Sequence, residues 1–204
     1  MTAIDSITIE APDPAAATAF YDDAFGLGDR LRVRGTTAPT SGFRGFTLSL
    51  IVSQPADADA LLQSALEAGA TTVKPGAKSL WGYGGVVQAP DGTLWKIATS
   101  SRKDSGPATR DVEQVVLLLG TADITESKRF YVERGLSVAR SFGRKYVEFD
   151  APSAGVKLAL YGRKALAKDA GVPQDGDGSH RLAIAADAGA FTDPDGFEWE
   201  GRTV

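Results

Sequence analysis

The sequence predicts an α+β fold in which the two halves of the chain are diverged copies of one structural unit. Three observations support this prediction. A strand-and-helix opening occurs twice, a Pro-Asp-Gly turn followed by a strand closes both copies, and a polar linker separates them. We place the first copy at residues 1–100, the linker at residues 101–110 and the second copy at residues 111–204.

Each copy opens with a strand and then a helix that begins at an aspartate. Asp13 and Asp123 stand seven residues before the first residue of an aromatic pair, Phe20-Tyr21 in one copy and Phe130-Tyr131 in the other. An aspartate at this position accepts hydrogen bonds from the free backbone N–H groups of the first helical turn. The aromatic pair then falls on the second turn, where we expect it to pack against a sheet.

Each copy also closes in the same way, but the segments between opening and closing differ. Pro-Asp-Gly occurs at residues 90–92 and 194–196, where proline presets φ and glycine permits a positive φ in a tight turn. Residues 27–43 are too few for a middle hairpin, so we expect the first copy to lack one. Residues 184–193 are too few for a second helix, so we expect the second copy to lack that helix.

Composition excludes several classes of function. The chain is 43% hydrophobic and 24% charged, as in ordinary globular proteins, and its formal net charge is -4 with scattered basic residues, which argues against a nucleic-acid partner. Without cysteine there are no disulfides and no thiolate metal sites. The sequence has neither a long apolar run nor a leader-like start, so we expect no membrane partner and a cytoplasmic location.

The order of these motifs resembles the vicinal oxygen chelate superfamily, which includes glyoxalase I, bleomycin-resistance proteins, fosfomycin-resistance enzymes and extradiol dioxygenases. The most specific stretch begins with the Trp-Gly-Tyr-Gly-Gly loop at Trp81 and ends at Lys96, after the first Pro-Asp-Gly. The resemblance implies two diverged βαβββ modules whose curved mixed sheets form cup-shaped sites.

The resemblance also implies where a metal would be held in such a cup. The family's ligands stand on the first strand, seven residues before the aspartate, and on the last strand, four residues after the glycine of Pro-Asp-Gly. These positions correspond to Ser6, Lys96, Val116 and Glu200. Only Glu200 is a conventional ligand, so we expect no metal cofactor. A weak divalent site made by Gln114 and Glu200 stays open as an alternative.

Several charged side chains are candidates for chemistry or binding. Lys96 would replace the missing cation and pair with Glu200, or both side chains would project into water. His180 is the only histidine, so an imidazole general base would have to be this residue. We therefore treat Glu200, Lys96 and His180 as the candidate catalytic residues, and Arg44 and Arg181 as candidates for binding an acidic ligand.

Aromatic side chains could form the walls of a pocket. Trp81, Tyr83, Tyr146 and Tyr161 offer apolar area with a polar end, although packing in the core explains them equally well. Ser6 completes the set of expected ligand contacts.

We therefore expect a protein similar to the bleomycin-resistance branch, which would bind a small organic molecule in a cup without a metal. One alternative is a lyase, isomerase or dioxygenase of the same superfamily. Another is a non-catalytic regulatory or interaction protein. Because the second copy lacks a helix, we expect a cup that is open on one side, which a homodimer would close.

Overall fold

The computed structural model describes residues 3–152 and 155–201. Its first half contains β1 (Ile4–Ala11), α1 (Pro14–Ala24), a 3₁₀ turn (Gly28–Arg30), β2 (Leu31–Gly35), β3 (Thr40–Gly42), β4 (Phe46–Ile51), α2 (Pro55–Glu67), β5 (Thr71–Ser79), β6 (Gly82–Gln88) and β7 (Leu94–Thr99). Its second half contains β8 (Gln114–Thr121), α3 (Ile124–Glu133), β9 (Val138–Ser141), β10 (Tyr146–Phe149), β11 (Val156–Gly162), α4 (Arg163–Ala170), β12 (Gly176–Gly178), β13 (Leu182–Ala186), β14 (Phe191–Thr192) and β15 (Glu198–Gly201).

Two complete βαβββ units form one continuous curved array of strands. Residues 46–99 supply β4, α2 and β5 to β7, and residues 114–162 supply β8, α3 and β9 to β11. In both units the first strand pairs in parallel with the last, and the two units join through the antiparallel pair β4 and β8. The strand order is therefore β5-β6-β7-β4-β8-β11-β10-β9, with the same internal order in each unit.

The remaining strands form a reduced version of the same arrangement, in the order β2-β1-β13-β15-β14. Here β1 and β13 pair antiparallel, as β4 and β8 do, and β13 runs parallel to β15. A single pairing of Ile4 with Val156 joins this reduced sheet to the complete one. The short strands β3 and β12 form a separate two-stranded ribbon.

The sequence repeat suggests that each half of the chain forms one module, but the strand pairing mixes the two halves. Each half contributes strands to both sheets, because the first half provides β1 and β2 to the reduced sheet and β4 to β7 to the complete one. Residues 27–43 contain β2 and β3, and no helix lies within residues 184–193. The division of the chain at residues 100 and 111 stays a prediction.

The predicted helix caps are present. Asp13 accepts a hydrogen bond from the backbone N–H of Ala16 at 3.0 Å, and Asp123 accepts one from Thr125 at 2.8 Å. After the helices, Gly26 and Gly135 adopt positive φ values of 59° and 88°, which a side chain would strain. None of the helices in the described part of the chain is long and apolar enough to span a bilayer.

The repeated opening and closing motifs bind each other across the core. The Tyr21 hydroxyl donates to Asp91 Oδ2 at 2.7 Å, and the Tyr131 hydroxyl donates to Asp193 in the same way. Burial, followed by the adjacent carboxylate, raises the pKa of both tyrosines well above the usual value. The tyrosine rings also contact the tryptophans of β7 and β15, so each helix is fixed on a Pro-Asp-Gly hairpin.

Candidate functional site

The centre of the complete sheet carries one row of side chains on its inner face. Ser49 on β4 is paired with Lys96 on β7 and with Val116 on β8, and Val116 is paired with Lys157 on β11. Side chains alternate along a strand, so the neighbouring Leu48 faces the opposite side and is fully buried in the core. The four residues of the row line a cavity of about 320 Å³, which we call the cup.

The two lysines of this row each have a carboxylate partner. Lys157 Nζ lies 3.0 Å from Glu148 Oε1, and the Tyr146 hydroxyl donates to Glu148 Oε2 at 2.9 Å. Burial alone would raise the pKa of Glu148, but the hydrogen bonds from Lys157 and Tyr146 outweigh it and lower that pKa. Lys96 Nζ lies 2.7 Å from Asp169 Oδ2.

Helix α4 covers one end of the inner face. It packs on β8, β11 and β4 through Leu166, Ala167 and Ala170, which form a small apolar cluster with Phe43. Gly120 on β8 permits this close approach, because a Cβ there would lie 3.1 Å from the Cα of the first residue of α4. The cup is the part of the inner face that α4 leaves open.

The carboxyl end of α4 is fastened to the sheet beside the cup. Lys74 Nζ donates to the backbone oxygens of Lys168 and Asp169 at 3.1 and 2.6 Å. A second cavity of about 300 Å³ lies between this end of α4 and the β5–β6 hairpin, and it shares Lys96 and Ala98 with the cup.

The four aromatic candidates have different positions. Trp81 lines the second cavity from the hairpin tip with 88% of its surface exposed, and Tyr146 lines the cup. Tyr83 donates to Asp59 on α2 at 2.6 Å, a hydrogen bond that raises the pKa of Tyr83 to about 12. Tyr161 packs against Tyr146 with ring centroids 5.7 Å apart.

The reduced sheet carries the other two positions that the resemblance implied. Ser6 and Glu200 both face Ala185 of the strand between them. The Glu200 carboxylate accepts from Arg34 at 2.7 Å, and Arg34 also pairs with Glu10. The expected pairing of Lys96 with Glu200 is therefore wrong, because the two residues stand on different sheets and each has another partner.

The central row of the cup does not fit a divalent metal. Two positions of the central row are ammonium groups, one is a valine and one is a serine, so the row lacks the imidazole and carboxylate donors that such metals prefer. Gln114 donates to the backbone oxygen of Gly155 at 2.8 Å, and β11, β1 and β13 lie between its strand and that of Glu200. Within residues 3–152 and 155–201, no three His, Asp or Glu side chains converge as a metal site would require.

The other polar candidates make contacts that tie turns to strands. The His180 ring nitrogens lie 2.5 and 3.1 Å from the backbone oxygens of Arg44 and Asp195, and its ring stacks on Phe197. Arg44 donates to the Asp91 backbone oxygen at 3.1 Å. Arg181 donates to the backbone oxygen of Ala38 at 2.8 Å. His180 and Arg44 line a broad open cavity of about 810 Å³ beside the β3–β12 ribbon, and their proposed roles stay predictions.

Sequence reasoning missed three polar residues of the cup and its rim, which are Ser49, Lys157 and Asp169. It interpreted Glu148 as an acid on a solvent face, whereas Glu148 lines the cup. Helix α4 was also not predicted, although Leu166, Ala167 and Ala170 have helical spacing and Gly171 stops the helix at a φ of 86°. The alternation of core leucines around Ser49 was the signal that could have placed it on the inner face.

Comparison with solved structures relates this architecture to known proteins. Glyoxalase I from Zea mays superimposes with a TM-score of 0.64 at 13% identity, covering 98% of this chain and 91% of that one. A candidate dioxygenase from Bacillus subtilis superimposes with a TM-score of 0.57 at 14% identity, covering 95% of this chain and 71% of that one. No protein-family profile and no curated protein sequence matches the chain. The paired βαβββ units and these likenesses together show that the chain has the fold of the vicinal oxygen chelate superfamily.

Proposed function

We propose that this protein binds a small organic molecule in the cup without a metal ion. The observation that carries the proposal is the row formed by Ser49, Lys96, Val116 and Lys157, which places two ammonium groups at matching last-strand positions. Lys96 and Lys157 provide fixed positive charge where a bound cation would otherwise be needed. Such groups attract the anionic or polar end of an organic molecule directly.

The charge of the cup and its neighbouring cavity supports this reading. Among the described residues that line the two cavities, four are lysines and two are acids. The chain as a whole has a net charge of -4, so positive charge is concentrated at this site against the general trend. A cleft lined mainly by one sign of charge raises the local concentration of ligands of the opposite sign.

The apolar part of the cup suits the body of an organic ligand. Ile51, Ala98, Val116 and Leu118 also line it. A volume of about 320 Å³ lies at the small end of the range for ligand sites in proteins. The site combines an apolar surface with a few convergent polar groups, which is the combination that small-molecule sites use.

A fragment screen with cup-filling variants tests the proposal. Organic acids, bases and neutral compounds would be screened by ligand-observed NMR with EDTA present. Val116→Trp and Ala98→Phe fill the cup from two strands, whereas Val132→Trp changes a half-exposed residue on α3 as a matched control. We expect the binding of the best fragments to persist in EDTA, to be lost in both cup variants and to be kept in the control. Fragments that bind equally to all variants, or only when EDTA is omitted, would contradict the proposal.

A further inference from the structure

The ion pair between Lys96 and Asp169 joins two separate elements of the structure. Lys96 belongs to the floor of the cup, whereas Asp169 stands in the last turn of α4, which only covers one end of that floor. The backbone at this end of α4 is held independently by Lys74. The helix therefore keeps an attachment to the sheet when the Asp169 side chain turns away from Lys96.

The other ion pair of the cup is built differently. Lys157 and Glu148 stand on the adjacent strands β11 and β10, their side chains are 27% and 18% exposed, and Tyr146 holds the second carboxylate oxygen. The side chains of Lys96 and Asp169 are 35% and 42% exposed. An exposed pair contributes little stability because water solvates both groups when it separates, so the pair at Lys96 is the easier one to exchange.

Lys96 also stands where the two cavities meet. It lines both the cup and the second cavity, whereas Asp169 lines only the second. A ligand whose apolar body rests on Val116 and Leu118 in the cup can present an acidic group to the Lys96 ammonium. That group and the Asp169 carboxylate are alike in charge and geometry, so they compete for the same hydrogen-bond donor.

We infer that the ligand of the cup is a small carboxylic acid with an apolar body, and that Asp169 is an internal competitor which the ligand carboxylate displaces from Lys96. This inference rests on the proposed function, since it names the class of molecule that the cup takes. It also gives α4 a role, because the helix presents to Lys96 the group that an incoming acid replaces. Removing the Asp169 charge removes both the competition and the repulsion of an acidic ligand.

Benzoate is a suitable probe, and benzamide is its neutral counterpart. Titration calorimetry at low ionic strength would compare the full chain with Asp169→Asn, Lys96→Met and Asp22→Asn. Asp22 is an exposed acid on α1, so its variant makes the same change of net charge elsewhere. We expect Asp169→Asn to bind benzoate about twofold to fivefold more tightly, because separating an exposed ion pair costs little. We expect Asp22→Asn to leave benzoate affinity unchanged and Lys96→Met to weaken it by at least about tenfold.

The outcomes separate this inference from the proposed function. If Asp169→Asn and Asp22→Asn bind benzoate with equal affinity, Asp169 does not compete with the ligand and the inference is overturned. If benzoate binding is at the same time lost in Ala98→Phe, the cup is still the binding site. An equal gain for benzamide would also overturn it, since competition for an ammonium requires a charged ligand. If Asp169→Asn does not bind benzoate at millimolar concentration, the ligand is not a carboxylic acid and the inference is overturned. Neutral fragments whose binding is lost in Ala98→Phe would in that case still support the proposed function.

Discussion

Replacing Tyr131 with phenylalanine removes one hydroxyl from the centre of the protein and leaves the ring in place. Tyr131 is fully buried, and its hydroxyl donates to Asp193, which is only 6% exposed. The other oxygen of that carboxylate accepts from the backbone N–H groups of Asp195 and Phe197 at 2.9 and 2.8 Å. Tyr131→Phe therefore deprives one oxygen of a buried carboxylate of its hydrogen bond.

The expected loss follows from the charge and burial of that carboxylate. A hydrogen bond to a charged group contributes about 1.5–3 kcal/mol, and an unsatisfied buried acceptor lies at the upper end of the range. We therefore expect Tyr131→Phe to lower the free energy of unfolding by about 2–3 kcal/mol. In a chain of this size that corresponds to a fall in Tm of roughly 4–12 °C. Urea denaturation followed by circular dichroism measures the free energy, and a thermal melt gives Tm.

Tyr161→Phe is the matched control, because no hydrogen bond from the Tyr161 hydroxyl occurs among the described residues and its partly buried ring packs against Tyr146. We expect its free energy of unfolding to change by less than about 0.5 kcal/mol. Equal stability of Tyr131→Phe and Tyr161→Phe would refute the conclusion that the Tyr131 hydroxyl fixes α3 on its turn.

Three further predictions concern pH and packing. Because the pKa values of Tyr21 and Tyr131 are raised in the folded protein, their protonated forms contribute their full stability below about pH 10 and lose it at higher pH. The urea midpoint should therefore fall above about pH 10, and a midpoint that stays constant up to about pH 11 would contradict this. Because the pKa of Glu148 is lowered in the folded protein, its carboxylate stabilises the fold above about pH 4.3, and this contribution is lost on acidification. The free energy of unfolding of Glu148→Gln should therefore fall less between about pH 5 and pH 3 than that of the unaltered protein. Gly120→Ala places a Cβ 2.8 Å from a backbone oxygen, so it should lower the free energy of unfolding measured in urea by about 1–3 kcal/mol. Gly106→Ala is the control, because a Cβ at Gly106 has no atom within 4 Å, and it should leave that free energy unchanged.

The features that the sequence predicted correctly depend on local chemistry. Asp13 and Asp123 cap their helices because a short carboxylate reaches the first free N–H groups in any such context. The Phe-Tyr pairs recur at the same distance from their capping aspartates and a Pro-Asp-Gly turn closes each half, so this repetition indicated the α+β fold before any pairing was known. These signals span only a few residues each, which is why they survive divergence.

The composition of the cup depends on contacts between distant strands, and the sequence could not give it. The implied ligand positions separate into two sheets, because β4 rather than β1 pairs with β8. Lys96 and Val116 therefore meet Ser49 and Lys157, whereas Ser6 and Glu200 lie elsewhere. Helix α4 was missed since its buried face consists of three residues, too few for a clear periodic pattern.

Mapping of backbone amide shifts during a benzoate titration tests most directly whether the cup binds an organic acid. We expect the largest changes in ¹H–¹⁵N spectra at Ser49, Lys96, Val116 and Lys157, the four residues of the row in the cup. Changes concentrated instead around His180, in the broad cavity beside the β3–β12 ribbon, would contradict this expectation and place the binding site outside the cup.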